Sequence, residues 1–266
     1  MKASVAVGLG LIVSLSGARG ALSTYNGNGS TSFGGAVGTG SLTLTDNGTT
    51  LSGTFTRGTG GNGTFTDYLV IYIDSTLGGY STTSGFTDYG SGLRKAVSGE
   101  DTPGNTRATA QFANGFSADY AIALHPKSPG DPGSLFQLVN NGTYTLVSSV
   151  NISPTGTSTS SAYTFSFSLG DIGVTGGQGA SIKFESSYIG IGNNNDAVIR
   201  SLESFESLAY DPDNPDRVIF STLDTYITAV PETTQSALAV FGGIVIGSGF
   251  LRQARRWIRA EDFANR

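Results

Sequence analysis

Carboxylates are the plentiful ionisable groups of this sequence: 20 Asp and Glu stand against 15 Lys and Arg, one histidine and no cysteine. The enzymatic chemistry such a set could run is glycoside hydrolysis, where two acids about 5 to 10 Å apart flank the bond to be cut. Asp67 and Asp74 bracket one apolar run. Their odd separation along an extended strand puts them on opposite faces and too far apart for that work. Glu185, Glu203 and Glu206 acquire no partner from spacing alone, so solvated acids are the default reading and no catalytic residue is expected. The lone His125 stands in Leu124-His125-Pro126, where an apolar run meets a turn. With no serine-centred motif beside it, it reads as a capping or solvent-exposed histidine rather than a general base.

Closely spaced oxygen donors suit a hard cation, and Asp211-Pro212-Asp213-Asn214-Pro215-Asp216 offers them. Asp211, Asp213 and Asp216 are therefore weak calcium candidates. The stretch fails the EF-hand template, however: Pro215 takes the fifth place, no glycine takes the sixth, and Thr222 stands where a bidentate Glu belongs. A proline-rich turn is the preferred reading, and Gly192-Asn193-Asn194-Asn195-Asp196 is likewise read as a loop. The absence of cysteine excludes disulfides, thiolate nucleophiles and zinc-sulfur sites. No metal and no cofactor are expected. Tyr25, Tyr80, Phe86, Tyr89 and Tyr144 lie in turn-rich places where exposed rings could stack on sugars, or else belong to the core. Glycine doublets such as Gly34-Gly35 lack the strand-to-helix setting of a phosphate loop.

Of the 266 residues, 39 are Gly and only 13% are charged, while 15 Phe and 11 Tyr supply material for a core. That balance suits short strands joined by many turns. Ser41-Leu42-Thr43-Leu44-Thr45, an Asn47-Gly48 turn and Thr50 to Thr56 form a hairpin by pattern. Tyr163 to Leu169 alternates large apolar and hydroxyl residues, as a half-buried strand does. Tyr68-Leu69-Val70-Ile71-Tyr72-Ile73 and Tyr120-Ala121-Ile122-Ala123-Leu124 are continuous apolar runs, predicting central strands covered on both faces. Thr143 to Val150, Ser181 to Tyr188 and Val218 to Tyr226 are further strands, and Leu169 to Ile172 one helical turn. The expected fold is all-β, an antiparallel β-sandwich of jelly-roll type.

The two ends have a different character. Met1-Lys2, an apolar stretch from Val5 to Leu15, and Ser16-Gly17-Ala18-Arg19-Gly20 make a signal peptide cut between Gly20 and Ala21. Ser236 to Leu251 is sixteen residues without a charge. As a helix it is about 24 Å long against a hydrocarbon core of roughly 30 Å, a marginal single span. Arg252, Arg255, Arg256 and Arg259 follow it with Trp257, so the positive-inside rule leaves the tail cytoplasmic and the body outside. From Ala21 to Glu232 there are 18 acidic and 8 basic residues, a net of −10. An acidic body opposes nucleic-acid binding.

The order Val230-Pro231-Glu232, spacer, apolar span and arginine cluster resembles the PEP-CTERM sorting signal of Gram-negative and related bacteria. Thr233 stands where that family carries a second proline. The resemblance implies an exosortase-like membrane protease as partner, with Val230, Pro231 and Glu232 as sorting motif and Arg252 to Arg259 as basic stop. It also implies a membrane-anchored intermediate on the way to the cell envelope or the exterior. In the body, Asp67 to Asp74 and Asp119-Tyr120-Ala121-Ile122-Ala123-Leu124 resemble strands of DOMON-like sandwich modules attached to polysaccharide-degrading enzymes, some of which bind sugars. The chain thus divides into residues 1–20, a signal peptide; 21–229, the extracytoplasmic sandwich; 230–259, the sorting signal with its transmembrane helix; and 260–266, a cytoplasmic tail. The expected function is a non-catalytic envelope or matrix protein associated with exopolysaccharide. The alternatives are a carbohydrate-binding module and, from the enzyme class, a glycoside hydrolase.

Overall fold

The computed structural model describes residues 22–229, except 101, 103–107, 140–141, 176–178 and 192–197. The signal peptide with Gly20 and Ala21, the motif Val230-Pro231-Glu232, the apolar span and the arginine cluster all lie outside the described residues. Among those described, no helix is long and apolar enough to cross a membrane.

Among the described residues, fifteen strands follow in chain order. They are β1 (Ser23–Asn26), β2 (Ser41–Asp46), β3 (Thr50–Thr56), β4 (Tyr68–Asp74), β5 (Thr109–Gln111), β6 (Tyr120–Leu124), β7 (Gly133–Leu138) and β8 (Tyr144–Ser149). After these come β9 (Asn151–Ser153), β10 (Ala162–Ser168), β11 (Ser181–Ile191), β12 (Val198–Arg200), β13 (Leu208–Asp211), β14 (Asn214–Phe220) and β15 (Asp224–Ile227). One sheet runs β1-β2-β3-β10-β9; a second runs β12-β11-β4-β6-β7-β8 with β15 also on β11; a small third runs β13-β14-β5. All pairings are antiparallel except β14 with β5. The all-β, antiparallel expectation holds. The jelly-roll order does not, because short turns such as Asp46-Asn47-Gly48 place successive strands side by side in one sheet instead of in opposite sheets. In that turn the Asp46 carboxylate accepts from Gly48 N–H at 2.7 Å and Gly48 takes φ of 87°, the conformation that favours glycine.

The first two sheets enclose the main core. Leu42 and Leu44 of β2, Leu51 and Phe55 of β3, and Tyr163, Phe165 and Phe167 of β10 meet Leu69, Ile71 and Ile73 of β4 and Tyr120, Ile122 and Leu124 of β6. Gly53 faces Phe165 in register, and a Cβ there would come within 2.2 Å of that ring. The other face of β4 and β6, with Val70, Tyr72, Ala121 and Ala123, is covered by a second apolar cluster. That cluster includes Val218 and Phe220 of β14 and Leu93, Ala96 and Val97 of helix α1 (Gly92–Ser98). Both continuous runs are therefore buried on both faces, as their sequence predicts. Helix α1 escapes the strand-based sequence reading. Its signals are the N-cap Ser91, the spacing of its three apolar residues and the left-handed C-cap Gly99 at φ 76°. The run Val218 to Tyr226 is likewise not one strand: it breaks at Ser221, whose N–H donates to Ser207 carbonyl at 2.9 Å, and its halves join different sheets.

Charge inside this body is handled in three ways. Fully buried Arg200 donates to Ala108 and Val97 carbonyls and to Ser187 and Tyr72 hydroxyls, at 2.9 to 3.2 Å. Asp46 accepts from Tyr226 hydroxyl at 2.6 Å and Ala229 N–H at 2.9 Å, which ties Ala229 to the end of β2. Glu185 and Glu206 are buried differently, each leaving one carboxyl oxygen without a partner. Burial pushes the Glu185 carboxyl up to about 9 and that of Glu206 to about 8, from an ordinary 4.5.

Both groups hold their protons more tightly folded than unfolded, so their contribution is complete below pH 4.5 and is lost as pH rises through 8 to 9. The melting temperature is expected to fall by roughly 5–15 °C from about pH 5 to about pH 9. Glu206→Gln should flatten the profile, and calorimetry across that range reads both effects.

Candidate functional site

The site is built at the start of β4. Thr66 and Asp67 precede the strand, and their N–H groups both donate to the Tyr188 hydroxyl of β11, at 3.1 and 3.2 Å. Tyr68, the first residue of β4, lies half-buried with its ring stacked on His125, centroids 4.2 Å apart and planes 28° apart. The antiparallel pairing of Leu69 with Leu124 makes these rings neighbours: the residue before one and the residue after the other must lie side by side. The loop after His125 adds Lys127, Ser128 and Pro129, and Ile191 closes the other side. The resulting cleft has a volume of about 650 Å³. That falls within the roughly 300–1,000 Å³ typical of small-molecule sites.

His125 Nε2 lies 3.2 Å from the Thr66 carbonyl, which can only accept, so the proton sits on Nε2 and Nδ1 keeps its lone pair. Burial lowers the histidine pKa, against the opposing pull of that hydrogen bond and of Asp67. Burial likewise raises the Asp67 carboxyl, offset in part by the Thr66 hydroxyl that donates to Oδ2 at 3.0 Å and by His125 and Lys127 nearby. At neutral pH the cleft therefore presents an uncharged imidazole, a partly desolvated acid and an exposed ammonium beside two stacked rings. Hydrogen-bond acceptors and donors next to apolar ring surface suit a polyhydroxylated ligand better than a purely apolar one.

A support chain leads back from this site. Tyr188 N–H donates to the Glu203 carbonyl at 3.2 Å, and Ser201 N–H donates to the Tyr188 carbonyl at 2.9 Å. The fully buried Glu203 carboxylate then accepts four backbone N–H groups of one glycine-rich loop: Phe33 and Gly35 at Oε1, 2.7 and 2.8 Å, and Val37 and Gly38 at Oε2, 3.0 and 3.3 Å. Phe33 in turn meets Tyr188 edge-on, with centroids 6.3 Å apart. A Cβ at Gly190 would come within 2.9 Å of the Phe33 ring and 3.7 Å of Asp67 Oδ1.

The other sequence candidates are dispersed. Glu185, Glu203 and Glu206 are interior groups at 0 to 2% exposure, not acids facing a cleft, so they cannot flank a glycosidic bond. Asp74 lies at the far end of β4 from Asp67, paired with Lys183 at 3.2 Å. Asp211 ends β13, Asp213 lies in the hairpin turn that follows, and Asp216 is already inside β14. There Asp211 pairs with Arg217 at 3.3 Å and accepts from Asp213 N–H at 2.9 Å, so the first donor of the calcium candidate is already engaged. No group of three or more His, Cys, Asp or Glu among the described residues could hold a metal. The segment 192–196 is outside the described residues. Of the five aromatic candidates, Phe86 and Tyr144 are buried, Tyr25 packs on Phe184 at 4.6 Å, and Tyr80 packs on Phe86 at 5.0 Å. Tyr89 is exposed. The aromatic ring that joins His125 in lining the cleft is Tyr68, which the sequence presents as the first residue of a core strand. The polar pair Thr66-Asp67 ahead of it was the available signal.

No protein-family model matches the chain, and no curated protein matches it. Among solved structures it is similar to a proposed carbohydrate-binding protein from Bacteroides uniformis, at 7% identity and a TM-score of 0.36, over 69% of this chain and 78% of that one.

With a single histidine in the chain, NMR titration is unambiguous. It is expected to give a midpoint below 6.5 and an Nε2-protonated neutral tautomer; Asp67→Asn should lower the midpoint further by removing a favourable charge.

Proposed function

We propose that this chain is a non-catalytic, extracytoplasmic β-sandwich protein that binds carbohydrate in the Tyr68–His125 cleft. The observation that carries this reading is the stacked ring pair beside the Asp67 carboxylate in a cleft of about 650 Å³. Sugar rings offer apolar C–H faces and rows of hydroxyl donors, and the cleft offers rings and acceptors to match. A binding protein is favoured over a hydrolase by the same cleft, whose lining among the described residues includes one carboxylate, Asp67, where hydrolysis calls for two.

Export and sorting belong to the same proposal. Ala229, the residue before Val230-Pro231-Glu232, is tied through its N–H to the Asp46 carboxylate. Processing C-terminal to this tie would leave the Asp46–Ala229 hydrogen bond in place. The proposed route is cleavage after Gly20, a single membrane span, recognition by an exosortase-like protease, and residence in the envelope or outside it beside exopolysaccharide. Intact mass of the envelope form reads both cleavages; an unprocessed chain confined to the cytosol would refute the route.

For the cleft, the purified chain on a glycan array should bind, and release no reducing sugar. Asp67→Ala should weaken binding about tenfold or more, the scale of a lost charge-assisted hydrogen bond, without lowering the melting temperature. Tyr68→Ala should weaken it as well. Binding unchanged in both variants would exclude this cleft.

A further inference from the structure

We infer that the cleft prefers an amino sugar with a free, protonated amine, its ammonium resting on Asp67 against the Tyr68–His125 ring pair. This rests on the carbohydrate reading above and names the sugar class. Asp67 Oδ2 accepts the Thr66 hydroxyl, while Oδ1 receives no protein donor and is not among the buried oxygens left unpaired, so it stands open to the cleft. No Lys or Arg of the described residues forms an ion pair with Asp67. Burying part of a carboxylate without a cation is costly, and a ligand that brings a cation recovers that cost at contact distance.

Three further features favour an ammonium over other ligand groups. Aromatic faces attract cations, and two stacked rings line the same cleft as Asp67. The neutral, Nε2-protonated His125 adds no positive charge that would repel one. Lys127, exposed on the rim, acts on Asp67 through space and marks where positive charge is favoured. Uronic acids meet the opposite conditions: Asp67 in the cleft, Asp131 close to His125, and a body carrying a net of −10. Lys127 is also an internal competitor, so its removal should tighten the binding of a cationic sugar. A merely structural lysine would not behave so.

The test is calorimetric titration of the full chain with three tetramers below the amine's own pKa: glucosamine, N-acetylglucosamine and galacturonate. The glucosamine tetramer is expected to bind at least about tenfold more tightly than its acetylated form, one charge-assisted hydrogen bond. Asp67→Asn should abolish that ratio yet retain the acetylated ligand. Lys127→Ala should raise glucosamine affinity roughly two- to fivefold. Equal binding of the two, or tightest binding of galacturonate, overturns the amine assignment while leaving carbohydrate binding in place. A preference that survives Asp67→Asn also overturns it, since the acidity of the whole body would then be the cause. Binding of none of the three, nor of any glycan on the array, removes the carbohydrate reading itself.

Discussion

A single buried carboxylate, that of Glu203, gathers four backbone N–H groups from a loop with no sheet to satisfy them. Buried N–H groups left unpaired cost about as much as lost hydrogen bonds, and an ionised acceptor makes the stronger kind. The loop carries Gly34, Gly35 and Gly38 because a side chain there would strike neighbouring atoms; at Gly35 the Gly60 backbone leaves 2.8 Å. Side-chain and backbone bonds then reinforce the grip, with Asn28 donating to Leu202 carbonyl at 2.8 Å and Leu202 N–H donating to Ser32 hydroxyl at 3.0 Å.

What depends on that grip is the edge of β11. Between its pairings with β15 and β12, the strand has no regular neighbour on this side, and the segment carrying Ser201 to Glu206 fills the gap. Tyr188 sits in this stretch. Its hydroxyl reaches across to hold the backbone of Thr66 and Asp67, so the floor of the cleft is set by a bond network that begins at Glu203. The cleft is thus positioned from below by rigid strands and from behind by a buried charge, with Lys127 to Pro129 as its loop-borne rim.

Much of the sheet structure is legible in the residues themselves. The Asn47-Gly48 turn, the alternation of Tyr163 to Ser168 and the unbroken apolar runs of β4 and β6 each reflect a local constraint, and each appears as read. The site is less legible because its parts are local only in space. Tyr68 and His125 become neighbours through strand pairing, and nothing in the order of residues marks Glu203 as interior while Asp213 is exposed. Acids that sequence presents as solvated are buried wherever the fold supplies backbone or hydroxyl donors. Glu185 and Glu206 show the same failure at higher cost, since each keeps an oxygen without a partner. The break at Ser221 escaped because its two halves are each good strand sequence.

The position of the cleft therefore hangs on the Glu203 cradle, and native-state hydrogen exchange tests that dependence most directly. Amides of Phe33, Gly35, Val37 and Gly38 lie in a loop, where exchange is ordinarily fast. If Glu203 holds them as described, they will exchange as slowly as the central amides of β4, and the Thr66 and Asp67 amides held by Tyr188 will be protected with them. Exchange of the four at the rate of exposed loop amides, with β4 still protected, would contradict it.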